Sequence, residues 1–135
     1  MTNAERASKR GSLSWFVASV LLAAWMGCEP TYKLEAPKAK SSLEVFLTNW
    51  SDGKPISSLK SETPPIIGGD EDWQSGLRLA KYEIVETQND GINLICKVVL
   101  TTRRLASDEG SEPIEETKYV VYTVGTNPAI TVFRN

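Results

Sequence analysis

The chain has 135 residues, a formal charge of −2 and no histidine. That length suits one domain, and the charge is too small for a nucleic-acid binder. Without histidine, the Ser-His-Asp and Cys-His forms of nucleophilic catalysis and the commonest transition-metal ligand are excluded; two cysteines cannot build a thiolate zinc site.

Residues 1–12 carry Arg6, Lys9 and Arg10 against Glu5, and residues 13–27 are uncharged and mostly apolar. From Cys28 onward 12 basic residues face 16 acidic ones, a net of −4. The apolar run is shorter than the roughly 20 residues a helix needs to span a bilayer. A basic segment followed by a short apolar one is the pattern of a secretory signal. Here it ends at Gly27 and Cys28 and resembles the lipobox of bacterial lipoproteins, although Trp25 stands where that family usually has leucine. The resemblance implies removal of residues 1–27, a lipid on Cys28 that ties the protein to a membrane, and a domain on the extracytoplasmic side of the cell envelope.

Residues 28–40 hold Pro30, Pro37 and three lysines without periodicity and read as a flexible tether. Ser41 with Glu44 forms a capping-box pattern, and Leu43, Phe46, Leu47 and Trp50 then fall on one face of a helix that Gly53 stops. Pro55 opens a second short turn that buries Ile56 and Leu59. Residues 61–72, with Pro64, Pro65, Gly68 and Gly69, read as loop. Asp70, Glu71 and Asp72 form the densest acidic cluster. They lack the spacing of a calcium loop, so no metal is expected, and the cluster reads as a solvated cap on the turn at 73–76.

Residues 78–87 alternate as a strand, and Asn89, Asp90 and Gly91 signal a hairpin. The stretch 92–100 follows, with Ile92, Leu94, Cys96, Val98 and Leu100 on one face. Its period of two and its β-branched residues make it the central strand. Residues 103–115 read as the longest loop, 117–124 as a third strand and 130–133 as a fourth.

Helix first and strands after gives an α+β domain over 41–135: an N-terminal helix packed on a four-stranded antiparallel meander. In element order this resembles the cystatin-like and nuclear-transport-factor-2-like (NTF2-like) arrangement. Trp73, Gly76, Tyr82 and Ile84, with the ending Thr131, Val132, Phe133 and Arg134, also resemble small uncharacterised bacterial lipoproteins. Those carry no assigned activity, so the resemblance implies a fold and a location only.

The inward positions of the predicted strands carry Leu, Ile, Val, Tyr and Cys and no acid, so no enzyme and no cofactor is expected. Cys96 reads as a buried, unpaired core thiol. The odd positions of the central strand include Ile95, Lys97 and Val99, more apolar than a solvated face requires. Lys81, Glu83, Lys97 and Lys118 are placed to rim them. The functional expectation is therefore a non-enzymatic interaction or structural module of the envelope. It would pair through Ile95, Val99 and Lys97 with a second copy or an envelope protein, as NTF2-like domains often do through this face. The alternative is a small-ligand binder with a cavity between helix and sheet.

Overall fold

The computed structural model describes residues 33–105, 110 and 112–135; Cys28 and the lipobox-like run lie outside them. Helix α1 spans Ala36–Ser51, earlier than the capping box indicates. Pro37 occupies its first turn, where a missing N–H costs nothing. Ser41 is helical and its hydroxyl donates to the Lys38 carbonyl instead of capping. Leu34 and Ala39 extend the apolar seam backward, so the last part of the stretch read as tether is core-forming. The seam that follows, Leu43, Phe46, Leu47 and Trp50, is buried as its spacing requires.

A 3-10 turn, Ile56–Ser61, follows Pro55 and buries Leu59. The Asn49 amide donates to Glu62 at 2.8 Å and ties the turn's end back to α1. Five strands then form one mixed sheet: β1 Ile66–Gly69, β2 Arg78–Asn89, β3 Asn93–Arg104, β4 Ile114–Gly125 and β5 Ile130–Arg134, in the order β1-β5-β4-β3-β2. The four-stranded antiparallel meander is corrected here. β1 pairs parallel with β5, Ile66 opposite Ile130, within the stretch read as loop. Its prolines and glycines mask it, yet Gly68 is needed. A Cβ there would lie 2.7 Å from the Phe46 ring and 2.8 Å from the Val132 carbonyl. Phe46 therefore reaches the sheet edge only over a glycine.

β2, β3 and β4 form two long hairpins, and β3 and β4 each take two residues from the ends of the stretch 103–115 read as loop. Ile92 precedes β3 and is exposed, so the inward set begins at Leu94. Two register shifts in β2, between Leu79 and Lys81 and between Ile84 and Glu86, break the ladder of this edge strand. With Lys81, Glu83 and Glu86 alongside, they blunt the free edge against further strand pairing.

The core lies between α1 and the sheet. Phe46 meets Trp73 and Tyr122 edge-on at 5.2 and 5.7 Å, and Trp50 stacks on Trp73 at 5.8 Å. These rings fill the space between helix and sheet. Among the described residues no helix is long and apolar enough to cross a membrane.

Candidate functional site

Strand register decides which residues face away from α1. Leu94, Cys96, Val98 and Leu100 of β3 are buried beneath the helix, so Ile95, Lys97 and Val99 point outward, as their alternation predicts. On β4, Val120, Tyr122 and Val124 face the helix. Tyr119, Val121 and Thr123 consequently sit opposite Val99, Lys97 and Ile95 on the outer face. Phe133 lies opposite Thr123, and Ile67 opposite Thr131, extending the row to the β1 edge.

Ile95, Val99 and Val121 are half-buried beside their cross-strand neighbours. Tyr119, Phe133 and Ile67 are 81%, 47% and 56% exposed. The result is an apolar band across four of the five strands that no helix of the described residues covers. The band is edged by charge of both signs. Lys97 bonds Glu86 at 3.0 Å, and Arg103 grips Glu115 through Nε and Nη2 at 3.2 and 2.6 Å. Lys81 and Glu83 are exposed beside them. Lys118 does not belong to this rim. Its Cα lies opposite Leu100, which puts it on the helix side, where its Nζ meets Asp72 at 2.5 Å.

That contact belongs to a second polar group that sequence reasoning missed. Helix α2, Glu71–Gln74, is one turn long, and Asp70 caps it by accepting the Asp72 and Trp73 amides at 2.8 and 3.2 Å. Capping was the expected role of the cluster; full burial was not. The other oxygen of Asp70 accepts the Tyr122 phenol at 2.5 Å, and Arg134 bonds Asp72 at 2.5 Å. An acid therefore does face the core, contrary to the inward set read from the strands, because it arrives from a loop and not from the sheet.

Burial alone would push the Asp72 carboxyl up, but hydrogen bonds and charge from Lys118 and Arg134 outweigh it and hold the group below the usual range. Burial, reinforced by Asp70, pushes the Tyr122 phenol far up. No buried side-chain polar atom among the described residues lacks a partner. Every contact in this cluster is spent within the fold, so it works as a tie holding α2 and Trp73 over the core.

A hollow of about 300 Å³ lies beside the tie, between Phe133, Gln74 and Asn135, and adjoins the end of the outer band. Cys96 is a fully buried free thiol, and burial raises its pKa to about 11. Among the described residues no group of three His, Cys, Asp or Glu side chains is placed to hold a metal. The chain matches no family model, no curated protein and no solved structure.

Proposed function

We propose that this protein is a lipid-anchored lipoprotein of the bacterial cell envelope, and that its domain is a non-enzymatic interaction module which pairs with a second copy through the outer face of the sheet. The observation that carries the pairing is the band of Ile67, Ile95, Val99, Tyr119, Val121 and Phe133, which no helix of the described residues covers, since rimmed apolar patches mark contact surfaces. A second copy suits the rim. Lys97 with Glu86 and Arg103 with Glu115 present both signs side by side, so a two-fold partner can offer each charge its opposite. Pairing by face rather than by edge agrees with the bulged, charged β2. The helix laid across one side of the sheet supports the likeness to cystatin-like and NTF2-like domains, while the parallel β1 is a departure from the plain meander.

The anchor rests on the run ending at Gly27 and Cys28. Its consequence is a short leash. The start of α1 is held to the β4–β5 turn, where the Glu35 amide donates to Thr126 and Asn127 donates to the Lys33 carbonyl. From Cys28 to Lys33 the chain reaches about 18 Å at most, which keeps the domain close to the bilayer.

Two measurements test the reading. Labelled palmitate should enter the full chain and be lost in Cys28→Ser; persistent labelling would remove the anchor. Crosslinking in cells should trap a dimer that Ile95→Lys combined with Val99→Lys abolishes. An unaffected dimer, or capture of a different envelope protein by the same face, would overturn the second-copy assignment.

A further inference from the structure

A groove runs along the end of the domain where α1 finishes. It has two lobes of about 240 Å³ each, which share Trp50, Gly53 and Arg78. Lys54 lines one lobe and Arg103 the other, and no carboxylate lines either among the described residues. That single sign is notable in a domain whose net charge from Cys28 onward is −4. Arg103 is neutralised by Glu115, but Lys54 and Arg78 are exposed and their side chains make no hydrogen bond or ion pair among the described residues.

Neither cation is needed to finish the helix. The Thr48, Asn49 and Trp50 carbonyls at the end of α1 already receive the amides of Asp52, Lys54 and Gly53. Their main chains are nevertheless fixed with care. Trp73 Nε1 donates to the Lys54 carbonyl at 3.0 Å, and Trp50 Nε1 donates to the Leu77 carbonyl, next to Arg78, at 2.8 Å. Two stacked indoles thus hold the backbones that carry the two free charges. Gly53, at φ +77°, turns the chain with no side chain beside the guanidinium; a Cβ there would stand 3.9 Å from Arg78 Nη1.

We propose that this groove binds an extended acidic peptide segment of a partner protein, with carboxylates on Arg78 and Lys54. A planar guanidinium and an ammonium along one open trough suit carboxylates spaced along a chain, and an open trough suits a strand more than an enclosed small molecule. The position argues against a lipid headgroup. The groove lies at the far end of the 16-residue α1, about 24 Å from where the chain enters the domain. That exclusion of the bilayer rests on the anchor reading; the peptide site itself does not, and its two anchoring charges, Lys54 and Arg78, stand apart from the outer band, with Arg103 alone bordering both.

The test uses the full chain in non-ionic detergent and a fluorescein-labelled octapeptide alternating threonine and glutamate, read by anisotropy. Saturable binding is expected, weakening as salt rises and absent for the same peptide with glutamine in place of glutamate. Lys54→Glu with Arg78→Glu should weaken it at least about tenfold, and Arg78→Gln alone about threefold, at unchanged circular dichroism. Lys60→Glu, outside the groove, should leave it unchanged. Equal binding of the glutamine peptide, an undiminished affinity in both groove variants, or an equal loss in Lys60→Glu would overturn the proposal. So would Arg78-dependent binding of inorganic phosphate or of phosphatidylglycerol micelles without binding of the peptide.

Discussion

The two faces of the sheet are built from the same strands and have opposite fates. On the covered face Leu94, Cys96, Val98, Leu100, Tyr122, Val124 and Val132 lie under α1 and Trp73 with almost no exposure. On the other, Ile95, Val99 and Val121 shield one another only in part, and Tyr119, Phe133 and Ile67 stand in the open. β-Propensity favours branched and aromatic residues on both faces, so it cannot distinguish them. What distinguishes them is cover. The lesson is that apolar content in a strand reports sheet formation, and only a packed neighbour turns it into core.

Substitutions can break or sharpen this contrast. The largest effect is expected on the covered face. Phe46 is fully buried, touches Trp73 and Tyr122, and seats over Gly68. Phe46→Ala should lose about 3–5 kcal/mol in denaturant unfolding, enough to threaten a domain of ordinary stability. A loss below about 1 kcal/mol would mean that the aromatic cluster is not the centre of the core.

A smaller effect is expected at the margin of that face, where Asp72 meets Lys118 and Arg134. Its folded pKa lies below the ordinary carboxylate value. The pairing therefore stabilises above about pH 4, and that contribution disappears as pH falls through the folded value. Unfolding free energy should decline from pH 5 to pH 2, and Asp72→Asn should flatten part of the decline. An identical slope in the variant would show that the tie carries no linkage.

Cys96 comes next. Its side chain is small and wholly enclosed, so Cys96→Ala should cost only about 1 kcal/mol. With its pKa raised to about 11, the native thiol should react with a thiol reagent far more slowly than the unfolded one. Rapid native modification would place this residue on the open side of the comparison. The smallest effect belongs to the outer face. Val99→Lys, one residue from the buried Val98, should change the stability of the monomer at low protein concentration by no more than about 0.5 kcal/mol.

Much of this was legible in the chain. The i, i+3, i+4, i+7 spacing from Leu43 to Trp50 and the alternation from Leu94 to Leu100 are local periodicities, and local backbone geometry enforces them. The outward direction of Ile95, Lys97 and Val99 follows from the same alternation once one face is buried. β1 was not legible, because four residues rich in glycine carry no period. Their strand character comes wholly from pairing with β5, more than 60 residues away. Nor was the Asp70 tie, since the acidic cluster meets Tyr122, Lys118 and Arg134 only after β4 and β5 are in place.

By itself the sequence determined the class of the fold, the faces of its main helix and central strand, and the exclusion of histidine-dependent chemistry. These depend on residue identity and short-range periodicity alone. The tertiary structure decided which edge β1 joins, which face of the sheet α1 covers, where Asp70 is buried, and how two tryptophans hold Lys54 and Arg78 along one groove. Each of those joins residues far apart in the chain, and the register between distant segments is set by how side chains pack.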